Sequence, residues 1–141
     1  MTARILLDTG PLVAFLNRSD EHHKWATSVW ETLRPPLITC ESVISEACFL
    51  LRGIFAGPPK VLDLVARGIV TIPFEVEDES AVLSRLMAKY ASVPMSLADA
   101  CLVRLLEKTP DSRLMTCDRD FLLYRKHGRQ VIPTITPGSL A

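Results

Sequence analysis

The sequence predicts an α/β fold, a three-layer α/β/α sandwich around a mainly parallel sheet. Short apolar runs alternate with segments of helical periodicity along the whole chain, the pattern of a parallel sheet covered by helices on both faces. The 141 residues are 48% hydrophobic and 23% charged, the balance of a single globular domain over 1–141. A chain of this size buries roughly 68 to 70% of the surface it exposes when unfolded, so its core needs neither disulfides nor a structural metal. No repeat or low-complexity segment interrupts the pattern.

Arg4 to Leu7 is the first strand. Asp8-Thr9-Gly10-Pro11 turns the chain, and Pro11 suits the start of a helix through Leu16. From Glu21 to Leu33 the apolar residues Trp25, Ala26, Val29, Trp30 and Leu33 recur at helical spacing until Arg34-Pro35-Pro36 stops them. Leu37 to Cys40 follows as a second strand. In a helix from Ser42 to Arg52, Val43, Ile44, Ala47, Leu50 and Leu51 share one face, with Gly53 at its end. Gly57-Pro58-Pro59 is expected as a loop before a short helix, Lys60 to Arg67, closed by Gly68. Ile69 to Phe74 is a strand whose end Pro73 keeps from a central position. Helices from about Asp78 to Tyr90 and from Ser96 to Lys108 come next. A strand from Arg113 to Cys117, a helical turn from Asp120 to Arg125 and a last strand from Gln130 to Pro133 complete the chain.

Sixteen Lys and Arg against sixteen Asp and Glu leave a formal net charge of zero. That excludes a general polycation binder and confines any nucleic-acid site to a local patch. Asp8 interrupts the opening apolar run after Ile5-Leu6-Leu7, so no secretory signal is expected. No apolar run approaches the roughly 18 to 20 residues of a membrane span. Cys40, Cys48, Cys101 and Cys117 contain no C-x-x-C pair, which predicts reduced thiols in a cytoplasmic protein.

Four carboxylates fall where a parallel sheet places its ligands, beyond the carboxyl ends of strands or in the first turns of helices there. Asp8 ends the first strand, Glu46 lies one turn into the helix after the second, Asp99 opens its own helix, and Asp118 ends the strand from Arg113. At about 100° per residue Glu46 borders the stripe of Val43, Ala47 and Leu50 and is expected to turn toward the core edge. Asp99 shares a face with Leu102, Val103 and Leu106, while Arg104 and Lys108 lie opposite. A carboxylate turned inward must be protonated, paired or bound to a cation, and no Lys or Arg occupies those faces. Singly, each acid has a plain structural reading: Ser96-Leu97-Ala98-Asp99 fits a capping box, Asp118 and Asp120 suit a first helical turn, and Asp8 suits a turn. Jointly they point to one site around a divalent cation.

The ordered set Leu6-Leu7-Asp8-Thr9-Gly10-Pro11-Leu12-Val13-Ala14, Ser45-Glu46-Ala47, Ser96-Leu97-Ala98-Asp99-Ala100 and Thr116-Cys117-Asp118-Arg119-Asp120-Phe121 resembles the motifs of PIN domain ribonucleases. The likeness runs from Ile5 to Phe121, and the size is close to that of VapC-type toxins of toxin-antitoxin modules. It implies an endoribonuclease dependent on Mg²⁺ or Mn²⁺ that hydrolyses RNA phosphodiester bonds. The family's three invariant-type acids map onto Asp8, Glu46 and Asp99, a fourth onto Asp118, and its usual hydroxyl residue onto Thr116. Asp120 is an additional acid with two roles open, holding a second metal through water or capping the following helix. Ser96 stands where many relatives carry another acid, which removes one negative charge at the rim. The resemblance also implies a homodimer and a small antitoxin whose tail fills the acidic groove.

RNA needs cations near the acids, and Arg119, Arg125, Lys126 and Arg129 form the candidate strip, with Asp120 as the one acid among them. His22 and His23 point about 100° apart on a helix and do not readily share an ion. Trp25 and Trp30 fit that helix's apolar face and are read as packing or a protein interface rather than as base-stacking platforms. A catalytically silent scaffold that binds RNA or a protein partner is the alternative, and retention of all four acids argues against it. A phosphoryl-accepting domain is disfavoured because Gly10 stands where an Asp-x-Asp phosphatase needs its second acid, and Val131-Ile132-Pro133-Thr134 offers no lysine.

Overall fold

The computed structural model describes residues 3–138, so both ends of the expected 1–141 domain, 1–2 and 139–141, lie outside the described residues. The chain runs β1 (Arg4–Leu7), α1 (Thr9–Leu16), α2 (His23–Trp30), β2 (Leu37–Ile38), α3 (Glu41–Leu50), α4 (Gly57–Ala66) and β3 (Val70–Thr71). It continues through α5 (Val76–Lys89), α6 (Leu97–Lys108), β4 (Ser112–Met115), a 3-10 turn (Arg119–Leu122), β5 (Arg125–Lys126), β6 (Gln130–Val131) and β7 (Thr134–Ile135). Five parallel strands in the order β3-β2-β1-β4-β7 form the sheet of a three-layer α/β/α sandwich.

Ile5-Leu6-Leu7 and Leu114-Met115 are buried because β1 and β4 sit in the interior of the sheet with both faces covered. Their register, Arg4 with Ser112 through Leu7 with Met115, brings both strands to an end side by side. Leu12, Val43, Leu102 and Leu106 close over them from α1, α3 and α6. From β1 the chain steps outward to β2 and β3, then returns to the other side of β1 with β4. Strand order reverses between β1 and β4, and such a reversal opens a crevice beyond the carboxyl ends of the two strands. The position of every candidate acid follows from this one topological fact.

Three local expectations are corrected. Gly57-Pro58-Pro59 is the first turn of α4 rather than a loop, because proline in the first turn of a helix loses only an N–H that has no helical partner. Glycine is required there, since a Cβ on Gly57 would lie 2.1 Å from the Leu51 carbonyl oxygen. Gln130 to Pro133 is not the closing strand of the sheet. Gln130–Val131 pairs antiparallel with Arg125–Lys126 across a tight loop in which His127 and Gly128 have φ of 52° and 78°, and Thr134–Ile135 joins β4 instead. Pro133 has no N–H to give, and its carbonyl accepts from Leu114 N at 2.9 Å where that pairing begins. Lastly, the strands expected over Leu37 to Cys40 and Ile69 to Phe74 contract to two residues each, since Cys40 already caps α3.

Candidate active site

At the crevice between β1 and β4 lies a cavity of about 640 Å³ whose lining includes Asp8, Glu46, Asp99 and Asp118, with Arg119 as its one cation. The sheet end, α3 and the start of α6 therefore bring the four expected acids to one place.

Asp8 holds extended backbone at the N-cap of α1. Its Oδ1 accepts from Thr9 N at 2.8 Å and its Oδ2 accepts from the Thr116 hydroxyl at 2.7 Å. Burial is the largest influence on this carboxyl, the two hydrogen bonds oppose it, and Asp99 and Asp118 add repulsion; the pKa is pushed up to about 7. Thr116 also accepts from Asp118 N at 2.9 Å, so one hydroxyl sets both the carboxylate after β1 and the turn after β4. Asp118 in turn caps the 3-10 turn, Oδ1 accepting from Asp120 N at 2.9 Å.

Asp99 satisfies both readings of its motif. It completes the capping box with Ser96, Asp99 N donating to Ser96 Oγ at 3.0 Å and Ser96 N to Asp99 Oδ2 at 3.4 Å. It is also 9% exposed and faces the cavity. A second donor reaches its carboxylate, the hydroxyl of Tyr124 at 2.9 Å on the same Oδ2, which leaves Oδ1 for a ligand. Burial raises its pKa, the Tyr124 bond opposes this, and Asp118 raises it further. Sequence reasoning missed Tyr124. The signal was available in the spacing of Phe121 and Tyr124, which turns both rings inward from the 3-10 turn, and a buried tyrosine hydroxyl seeks a partner.

The tightest grouping differs from the expected one. Asp99, Asp118 and Asp120 each offer an oxygen within 4.8 Å of the others, so Asp120 belongs to the cluster although it does not line the cavity. Burial and Asp118 raise the Asp120 pKa. Asp8 lies outside this trio on the cavity wall, and Glu46 is exposed rather than turned to the core edge. Val43, Ile44 and Ala47 take the buried face of α3, and Glu46, beside them, looks out over the cavity mouth.

Of the basic strip, Arg119 lines the cavity, but Arg125, Lys126 and Arg129 do not. Arg125 directs Nη1 onto the carbonyls of Leu122, Leu123 and Tyr124 at 2.8, 3.2 and 3.0 Å, closing the turn. The hairpin that carries Lys126 and Arg129 is tied to α5 and α6, His127 N donating to Glu107 Oε2 and Lys89 Nζ to the Gly128 carbonyl. His23 bonds the Ala14 carbonyl and Trp30 stacks on Phe15 at 3.9 Å, so this part of the helix packs on α1, one of the two roles expected for its tryptophans.

The donor set is all oxygen and carries negative charge, and no Lys or Arg bonds to the trio among the described residues. Oxygen-only, carboxylate-rich sites suit hard divalent cations. An unsatisfied buried hydroxyl, Thr9 Oγ1, belongs to the lining of the same cavity. The residues present fit a divalent ion.

Residues 5–126 match the PIN domain family. The chain is a PIN domain protein. PIN domains are nucleases that use divalent cations, and the acidic crevice falls in the matched region. Among solved structures, this PIN domain superposes on VapC20 of Mycobacterium tuberculosis, described as a sarcin-ricin loop cleaving toxin, with a TM-score of 0.76 over 92% of this chain and 99% of that one. Their sequences are 20% identical, so the likeness is one of fold. No curated protein sequence matches the chain. Among the described residues no helix is long and apolar enough to cross a membrane.

Proposed function

We propose that this PIN domain is an endoribonuclease dependent on Mg²⁺ or Mn²⁺ that hydrolyses RNA phosphodiester bonds, acting in the cytoplasm as the toxin of a VapBC-type module. The observation that carries the reading is the clustering of Asp99, Asp118 and Asp120, the first two of which line one cavity with Asp8 and Glu46. Asp99 Oδ1, Asp118 and Asp120 would hold the ion, with Asp8 or Glu46 joining directly or through water. Bound there, the ion supplies charge neutralisation and a water of lowered pKa. The chain's own residues set the geometry. Thr116 fixes Asp8 against Asp118, and Ser96 and Tyr124 fix Asp99. Arg119 offers charge to a phosphate, and the exposed Arg129 and half-buried Lys126 extend the path for an RNA backbone.

A homodimer and a small antitoxin belong to the same reading. Supporting it, Phe49, Phe55 and Leu62 are 60, 92 and 54% exposed at the end of α3, in the loop after it and in α4, apolar side chains that a partner chain would cover. The test is incubation of purified protein with cellular RNA in Mg²⁺ or Mn²⁺, beside EDTA and Asp99→Asn controls. Discrete fragments lost in both controls are expected. Intact RNA despite calorimetric metal binding would favour the silent scaffold.

A further inference from the structure

We propose that the cavity between the start of β1, the Arg34 to Pro36 segment before β2 and the end of β3 binds a nucleoside monophosphate, with the Arg4 and Arg34 guanidinium groups on its phosphate and the proline wall against its base. The site is separate from the acidic crevice, and the inference does not depend on the nuclease reading.

This cavity holds about 600 Å³, and its lining includes both arginines, Pro35, Pro36, Pro73, Ile38 and Thr71. Its size falls within the roughly 300 to 1,000 Å³ of small-molecule sites, and an apolar wall with a few polar groups is their usual composition. Leu6 pairs in register with Ile38, and Ile38 with Thr71; with Arg4 two residues before Leu6, these side chains share one face of the sheet. Arg4 opens β1, whereas the crevice lies past its other end, roughly 13 Å away at about 3.3 Å per residue. In a chain of zero net charge, the lining carries two cations and no carboxylate. The crevice with its acids differs, and so does the cavity of Glu41, Glu75 and Glu77 where α3 and α5 begin. Arg4 and Arg34 are exposed, and neither guanidinium makes a hydrogen bond or ion pair among the described residues. Arg52, Arg67, Arg104, Arg113 and Arg125, by contrast, are all engaged. Two free planar forks on one cavity suit a doubly charged oxyanion. A phosphate monoester carries about −1.5 to −2 at pH 7, while a phosphodiester inside an RNA strand carries a single charge. Proline rings and guanidinium faces offer flat surfaces to a base, and the half-buried Thr71 hydroxyl, without a partner among the described residues, is available to the ribose. A peptide added as a strand is disfavoured, because β3 is the edge of the sheet and Pro73 just past it has no N–H for a ladder.

The test is calorimetry of the full chain in EDTA, titrated with adenosine or uridine monophosphate, with the uncharged nucleosides and with inorganic phosphate. EDTA keeps metal out of the crevice, whose carboxylates then repel phosphate. A monophosphate is expected to bind at one site per chain, at least about tenfold more tightly than its nucleoside or inorganic phosphate. Its affinity should weaken as pH falls through about 6, where the phosphate takes up its second proton. Arg4→Ala and Arg34→Ala should each lose about tenfold or more in affinity, the worth of a hydrogen bond to a charged group. Their thermal midpoints should match wild type, since neither side chain bonds to the protein, and Arg119→Ala should bind as wild type does. No saturable binding, equal affinity for inorganic phosphate, or wild-type affinity in both variants would each overturn the assignment. So would lost binding with a lower midpoint in both, which would make the arginines structural. A loss in Arg119→Ala would place the ligand in the crevice, and tighter binding of an oligoglutamate peptide would make the cavity a peptide site; either result would overturn it as well.

Discussion

Asp8→Asn should make the metal-free protein more stable at alkaline pH while removing its activity. Burial holds the Asp8 pKa at about 7 against an ordinary 3.8, so the folded state prefers the neutral carboxyl. The sign follows from proton linkage: stability from the neutral form is complete below the ordinary value, declines as pH rises, and is lost above about 7. The gap corresponds to about 4 kcal/mol, of which some 2 to 3 kcal/mol falls between roughly pH 5 and 8. Asparagine removes that cost. Its single carbonyl can accept from Thr9 N or from Thr116 but not from both, which returns about 1 kcal/mol. The net expectation is a variant more stable by about 3 kcal/mol near pH 8 and little changed at pH 5. Urea unfolding in EDTA across that range measures it, and saturating Mg²⁺ should remove most of the wild-type slope by favouring the ionised form. Identical pH slopes for wild type and Asp8→Asn would refute the argument, as would a wild-type protein that gains stability from pH 5 to 8.

Three further outcomes are expected. Tyr124→Phe keeps the ring contacts to Phe121 and Tyr90 but removes the donor on Asp99; the Asp99 pKa rises, and the midpoint of metal binding, followed by calorimetry, should move to higher pH with a loss of about 1 kcal/mol in stability. Arg119→Ala should weaken RNA binding and flatten its salt dependence with an unchanged melting point, whereas Arg125→Ala should lower the melting point because three carbonyls lose their donor. Glu79 lies buried between Arg104 and Lys108, which hold its pKa low; Glu79→Gln should cost about 1 to 2 kcal/mol at neutral pH, and the difference from wild type should shrink as pH falls below the ordinary glutamate range.

Much of the site was legible because its acids sit at places with a local physical signature. Asp8 and Asp118 follow apolar runs, and Asp99 carries a capping serine three residues before it. The alternation of runs also sufficed for the layers of the fold. The strand order was not legible, since parallel strands carry no sequence record of which neighbour they take, and that order sets the crevice. Glu46 was misjudged for a related reason: helical periodicity says which residue borders an apolar stripe but not whether the border meets core or cavity. The two roles of Asp120 are not separable in sequence, since an acid just after Asp118 suits either; in the structure the 3-10 turn holds its carboxylate within 4.8 Å of those of Asp99 and Asp118. The hairpin at Arg125 to Val131 escaped because two-residue strands have too few positions for any period to register.

The hydrogen bond from Thr116 to Asp8 spans 108 positions of sequence. A ribosome making this chain finishes the residues of β1, α3 and the start of α6, with Asp8, Glu46 and Asp99 on them, well before it reaches the hydroxyl that orients the first acid, the two remaining acids, and the tyrosine that steadies the third. An unfinished chain therefore carries most of the acids without the bonds from Thr116 and Tyr124 that orient them in the crevice. The crevice is thus completed only when the segment from Thr116 to Tyr124 has been made, and any partner that recognises the earlier helices has the preceding interval in which to bind first.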